Sequence, residues 1–150
     1  AATKALVFYT HGDGQFSLDE LPTLIPLMKQ HDIVSCFRLN RQDGLMRRLN
    51  AWCWTTLVGC VFGFKLKDIN CAFKLYKCSV FAGMDLQSTG ALINAEILSR
   101  ATRRGCAITQ IGVHHFPRTQ GRQTGSNFTV IFRAFGELVR LSKHIKNDTS

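Results

Sequence analysis

The stretch Ala5-Leu6-Val7-Phe8-Tyr9-Thr10-His11-Gly12-Asp13-Gly14-Gln15-Phe16 decides how this chain is read. An apolar run ends abruptly in a polar turn that carries two glycines. The run predicts a buried strand over residues 4–10. In open α/β sheets, ligands bind at the carboxyl ends of strands. His11 and Asp13 flank Gly12, so an imidazole and a carboxylate can face one point. A hard divalent cation carrying phosphate oxygens suits such a pair. Gly-Asp-Gly is also ordinary turn chemistry, in which glycine supplies a positive φ and aspartate bonds its own backbone. The turn alone leaves both readings open, and the rest of the chain has to separate them.

The next segment supports an α/β order. Ser17-Leu-Asp-Glu20 has the form of a capping box, with Ser17 as N-cap and Glu20 at N3. Leu21, Leu24, Ile25 and Met28 follow as a helical stripe. Pro26 lies deep enough to kink that helix or end it early. Asp32 to Arg38 predicts a second strand with Arg38 at its end. Asn40 to Gly44 is a polar loop, and residues 45–62 predict a helix with Arg47 and Arg48 near its start. Basic residues there oppose the helix dipole.

Asp68 to Cys78 alternates weakly and predicts a short strand around Phe73-Lys74-Leu75-Tyr76. Gly90 to Arg104 predicts a helix on Leu92, Ile93, Ala95, Ile97 and Leu98, stopped by Gly105. Ala107 to Phe116 predicts a strand. Pro117 to Ser126 is a loop rich in Gly, Arg and Thr, and residues 128–146 form an amphipathic C-terminal helix. Strands and helices alternate, so the fold class is α/β. The chain opens on an interior-type strand with no βα unit before it, as in one half of a larger sheet.

Composition narrows the functional classes. The 150 residues hold about one domain with a real core. A hydrophobic fraction of 45% against 19% charged residues excludes a disordered chain. The formal net charge of +9 favours an anionic partner, such as a nucleotide, a nucleic acid or a lipid phosphate. No signal peptide is visible, and no run reaches the ~18 apolar residues of a membrane span. Cysteines 36, 53, 60, 71, 78 and 106 form no Cys-x-x-Cys pair, which points to reduced thiols rather than structural zinc.

Five elements then stand in order. They are His11-Gly-Asp13-Gly-Gln15 after a strand, and Arg38 after a strand followed by Arg47 and Arg48. Next come Asp68-Ile-Asn-Cys-Ala-Phe73-Lys74 and Asn94-Ala-Glu96 on a helix. Last is His115-Phe-Pro-Arg118-Thr-Gln-Gly121-Arg122-Gln-Thr-Gly125-Ser126-Asn127. Over residues 4–142 this ordered set resembles family 2 glycosyltransferases. The branch it is most similar to is the dolichol-phosphate mannose synthase-like and polyprenyl-phosphate sugar transferases. That pattern reads Asp-x-Asp-Gly-Gln after a strand, a strand ending in Arg, an Arg-led helix, Asp-x-x-x-Gly-Phe-Arg/Lys, an acidic helix and Arg-x-x-Gly-x-Ser. Two positions depart from it. His11 stands at the first acid of Asp-x-Asp, and Ala72 stands at the usual glycine.

The resemblance implies a GT-A fold, a Rossmann-like sheet with flanking helices, here lacking its first βα units. Residues 1–150 would be a partial catalytic domain. It implies a nucleotide-sugar donor and a lipid-phosphate or sugar acceptor, most closely a polyprenyl phosphate. Asp13 and His11 would hold Mg²⁺ or Mn²⁺, imidazole suiting Mn²⁺ better. Gln15, Arg38, Arg47, Arg48 and Arg122 would hold donor or phosphate oxygens, as the arginine fork matches them bidentately. Glu96 and Arg118 would be catalytic, Glu96 as a general base for a sugar-hydroxyl acceptor.

The apolar segment Trp52 to Phe64 and the C-terminal helix, both with basic flanks, are candidates for peripheral membrane contact on a cytoplasmic membrane face. Two rival readings go with this set. One is an inactive fragment or pseudo-enzyme of the same fold. The other is a basic nucleic-acid-binding α/β module, which no recognised RNA or DNA signature supports.

Overall fold

A computed structural model describes residues 5–41, 44–90, 92–117, 136–142 and 145. The chain runs β1 (Leu6–Thr10), α1 (Leu21–Leu24), β2 (Ile33–Ser35), β3 (Phe37–Leu39), α2 (Leu45–Phe62), β4 (Phe73–Lys77), α3 (Leu92–Arg103), β5 (Ile108–Thr109) and β6 (Gly112–His114). The main sheet has the order β1-β4-β2-β5. β4 runs antiparallel to both of its neighbours, and β2 pairs parallel with β5. β3 and β6 continue the β2–β5 pairing beyond a short break in the same register, from Ile33 opposite Ile108 to Leu39 opposite His114. The mixed α/β sheet is compatible with a Rossmann-like fold.

Both faces of the central strands β2 and β4 are covered, whereas β1, at the sheet edge, is half-buried throughout rather than the buried interior strand expected. Side chains alternate across a strand. Val34, Phe73 and Leu75 therefore point to one side, where they pack with Leu24, Met28 and Val113. Ile33 and Tyr76 point to the other, where Val58 of α2 and Ala95, Leu98 and Ala101 of α3 meet them. Leu138, Leu141 and Ile145 join the same side. Residues 136–142 are helical, within the predicted C-terminal helix. The rest of that helix lies outside the described residues.

Local signals explain most element ends. α2 spans the residues expected of it and stops at Gly63, whose φ of 75° closes the helix end. The Gly63 and Phe64 N–H groups both donate to the Gly59 carbonyl, at 2.8 and 3.2 Å. The helix expected after Ser17 is shorter than its stripe suggests. Pro26 lacks an amide N–H, and the α-helical turn gives way at Ile25 to a 3-10 turn, Ile25–Lys29. Leu24 and Met28 still reach the core, whereas Ile25 is half exposed. The capping box is also only half formed. Ser17 Oγ accepts the Asp19 N–H at 3.2 Å, but the Glu20 carboxylate turns away to accept the His114 N–H at 3.0 Å.

Candidate functional site

The sheet brings the chemistry to one edge. β1 and β2–β3 run in the same direction, and the antiparallel β4 begins between their carboxyl ends. Thr10 lies opposite Phe73, and the Cys36 N–H donates to the Phe73 carbonyl at 3.2 Å. With β4 between them, the ends of β1 and β2 lie roughly 10 Å apart.

At the end of β1, Asp13 turns back on its own loop. Its Oδ1 accepts the Gln15 N–H at 3.2 Å, and Gly14 takes a φ of 74°. The turn reading is thus observed, and the same turn directs the other carboxylate oxygen toward His11. Oδ2 faces His11 Nδ1 at 3.8 Å, beyond hydrogen-bond reach. His11 Nε2 lies 3.1 Å from the Tyr9 hydroxyl. The imidazole is thus held from behind, and its front nitrogen shares a space with the carboxylate. Gln15 is buried, and its carbonyl accepts the Phe116 N–H at 3.0 Å, which ties the turn to the strand end after β6. Phe16 packs at ring-centroid distances of 5.5 Å from Phe73 and 5.7 Å from buried His115.

Arg38, the middle residue of β3, meets Asp68; the single strand expected over Asp32 to Arg38 is broken at Cys36 and runs on to Leu39, so Arg38 does not end it. Nε and Nη2 donate to the two carboxylate oxygens at 2.6 and 3.0 Å, a bidentate pair. Arg41 Nη1 approaches the same carboxylate at 4.0 Å. Beneath them Lys74 is fully buried, and its ammonium donates to the carbonyls of Ile69 and Cys71. Burial lowers the Lys74 pKa to about 8 from an ordinary 10.5, against the pull of neighbouring Cys71 and Asp68. The same apolar surroundings push the Cys36 thiol up to about 12 and the Cys71 thiol to about 11, so both are neutral.

The other expected residues are distributed as follows. Arg47 and Arg48 open α2, with Arg48 exposed. Glu96 is fully buried on α3. Its carboxylate accepts the backbone N–H groups of Gln87 and Ser88 at 3.1 and 2.7 Å and the Arg100 Nε at 2.9 Å. Burial pushes its pKa up, but these donors outweigh burial and hold it below the ordinary value. A carboxylate so placed anchors the 85–90 loop to α3. Arg118 and Arg122 lie outside the described residues. Among the described residues no group of three or more His, Cys, Asp or Glu gathers into a metal cluster.

Asp68 and Lys74 were visible in sequence only as members of a quoted segment, with no role attached. Lys74 carried a signal, a charge between Phe73 and Leu75, which is rare in a buried strand unless the charge is paired, whereas Asp68, beside Lys67, carried none. Glu20, Tyr9 and Arg41 had no such signal, because exposed polar residues are common everywhere.

The chain has a relative among known proteins. The chain is similar to a dodecaprenyl-phosphate galacturonate synthase. That protein, from Rhizobium johnstonii, is 31% identical over 88 residues. The match covers 57% of this chain and 26% of the relative, so this chain spans well under two thirds of that protein's length. No family model matches the chain. Among the described residues no helix is long and apolar enough to cross a membrane.

Proposed function

We propose that this chain is part of a GT-A glycosyltransferase that moves a sugar from a nucleotide-sugar donor to a polyprenyl phosphate. The observation that carries the reading is the 31% identity to the dodecaprenyl-phosphate galacturonate synthase. The placement of His11 and Asp13 at the end of β1 supports it, since sheets of this kind bind ligands there.

The residues fit a divalent ion in a particular way. An imidazole nitrogen and a carboxylate oxygen face one space from opposite sides of Gly12. Two protein ligands with substrate phosphates completing the shell is a common arrangement for Mg²⁺ and Mn²⁺, and the nitrogen favours Mn²⁺. When bound, the ion neutralises charge on the departing diphosphate. Asp13 is oriented for this by its own turn, and His11 by Tyr9. Gln15, Arg38, Arg47 and Arg48 would hold donor and acceptor phosphates, with Arg38 set in direction by Asp68, and Arg122 is carried in the same role on the sequence alone.

The transfer is an inverting displacement. An acceptor phosphate oxygen forms a bond to the anomeric carbon from one face. The bond to the nucleoside diphosphate breaks on the other, and its electron pair leaves with the diphosphate. A phosphate oxygen is already ionised near neutral pH, so it needs no proton acceptor. Glu96, buried among its four donated hydrogen bonds, then serves to hold the fold around the site rather than to take a proton.

The test uses the full-length protein with nucleotide-sugar donors, a polyprenyl phosphate and either Mn²⁺ or Mg²⁺. Asp13→Ala is expected to lower turnover at least about 100-fold. His11→Asp is expected to raise turnover in Mg²⁺ relative to Mn²⁺. Full turnover in Asp13→Ala would refute the assigned role. Absence of turnover in both the natural protein and His11→Asp would favour a fold-only relative.

A further inference from the structure

Tyr9 lies in β1, and His11 follows it by two residues, a spacing that puts both side chains on one side of an extended chain. The two rings meet edge to face with centroids 5.8 Å apart, and the Tyr9 hydroxyl lies 3.1 Å from His11 Nε2. Tyr9 is a firm support for this contact. It stands opposite Lys74 in the β1–β4 register, and the Lys74 ammonium lies 5.9 Å from its ring centroid. Its ring also packs against the core that α2 and α3 cover. The His11 side chain, by contrast, is 50% exposed.

A neutral imidazole has one N–H and one bare nitrogen, and a metal ion takes the bare one. Nδ1 is the nitrogen that faces Asp13 Oδ2, at 3.8 Å. It can bind an ion beside that carboxylate only when the ring proton sits on Nε2. The Asp13 carboxylate works against this, because a negative charge attracts the proton to Nδ1. In metal sites the partner of the second ring nitrogen ordinarily fixes the tautomer and the ring orientation. Tyr9 stands in that place. A phenol hydroxyl both donates and accepts, so it can bond Nε2 in either tautomer.

We propose that Tyr9 is a positioning residue for metal binding: its hydroxyl accepts the Nε2 proton of His11 and so presents Nδ1 bare, beside Asp13, to a divalent ion that takes nitrogen. The inference rests on the proposed ion site at His11 and Asp13, and adds to it the origin of its metal preference. Imidazole suits Mn²⁺ better than Mg²⁺, so the ion that uses the nitrogen is the one that gains from Tyr9. In the ion-free chain the same hydroxyl donates to Nε2, and Nδ1 carries the ring proton toward Asp13. The ring exchanges one tautomer for the other through solvent, and Nε2 stays bonded in both.

The experiment is equilibrium dialysis of the full-length protein against Mn²⁺, and separately Mg²⁺, with inorganic diphosphate present. The natural protein is compared with Tyr9→Phe, His11→Asp and the two changes together. No sugar or polyprenyl phosphate is present, so turnover plays no part. Tyr9→Phe keeps the ring and removes only the hydroxyl. It is expected to weaken Mn²⁺ binding about tenfold, at the low end of the usual range because His11 is half exposed. Mg²⁺ binding is expected to fall less, since Mg²⁺ prefers oxygen ligands. In the His11→Asp background the tyrosine change is expected to have no effect, as a carboxylate has no tautomer to fix. Pulsed EPR of the bound Mn²⁺ is expected to show a coordinated nitrogen in the natural protein and none in His11→Asp. Equal loss in both backgrounds, or for both ions, would give Tyr9 a general structural role and overturn the proposal. Natural Mn²⁺ affinity in Tyr9→Phe would also overturn it, and would leave the ion site itself standing. A natural protein that holds no Mn²⁺, or holds it with no nitrogen, removes His11 as a ligand and this proposal with it.

Discussion

Asp68 receives the Arg38 guanidinium side-on, with both carboxylate oxygens engaged at 2.6 and 3.0 Å. The two residues come from different elements, β3 and the turn before β4, and both are largely removed from water. This pair joins the strand end that carries the candidate site to the turn beneath it. Lys74 braces the same turn from inside through the carbonyls of Ile69 and Cys71.

Removing one partner of a buried ion pair leaves the other charge uncompensated. Asp68→Asn is expected to cost about 3 kcal/mol, a fall in Tm of roughly 10 °C for a domain of this size. Arg38→Lys should recover little of the pair's function, since an ammonium cannot reproduce the fork. Urea unfolding of the three proteins at one pH measures both effects. Equal midpoints for Asp68→Asn and the natural chain would contradict the bidentate pair.

Lys74 makes stability depend on alkaline pH with a defined sign. Its pKa is about 8 in the fold and 10.5 as an ordinary lysine. Between these values the unfolded chain keeps a proton that the folded chain has released, so this residue's contribution rises with pH across that window. Lys74→Met loses the rise, and also leaves two carbonyls without their donor. The variant is therefore expected to lie nearest the natural protein at pH 7 and to fall behind it as pH rises from 8 to 10. The buried Cys36 and Cys71 thiols, whose raised values act in the opposite sense and which Lys74 itself lowers, are removed from the comparison by replacing both with alanine in each protein.

Glu96 acts on the acid side. Its pKa is held below the ordinary 4.5, so its stabilisation is complete above that value and is lost as pH falls through the folded value. Glu96→Gln removes the buried negative charge that Arg100 Nε and the two loop amides are bonded to, at a cost of about 3 kcal/mol near neutrality. The gap between variant and natural protein is expected to close below pH 4.5. Hydrogen exchange at the Gln87 and Ser88 amides should quicken in the variant, because both donate to this carboxylate.

Gly59 sits inside α2, where alanine would ordinarily gain about 1 kcal/mol. A Cβ there would lie 2.6 Å from the Phe64 carbonyl oxygen, a backbone atom. Gly59→Ala is therefore expected to destabilise by about 1–3 kcal/mol, reversing the sign of helix propensity. Thermal unfolding decides it, and a rise in Tm would show that the chain after Gly63 can move aside.

The positions of strands and helices were legible in the residues because their signals are local. The apolar run before His11, the helix over residues 45–62 and its stop at Gly63, and the Gly105 end of α3 all depend on neighbours a few positions away. So did the strand-end turn, whose Asp13-to-Gln15 bond spans two residues. Pro26 showed the limit of the stripe before it, since a missing N–H overrides apolar spacing.

The sequence by itself thus determined the α/β order and the placing of His11 and Asp13 at a strand end, whereas Arg38 falls within β3. Tertiary structure alone decided which charges meet. Only the insertion of β4, antiparallel, between β1 and β2 brings Asp68 to Arg38 and buries Lys74. Only the packing of α3 encloses Glu96 with the 85–90 loop. Burial and charge pairing arise from contacts distant in sequence, and a residue's type does not reveal which distant neighbour will remove it from water.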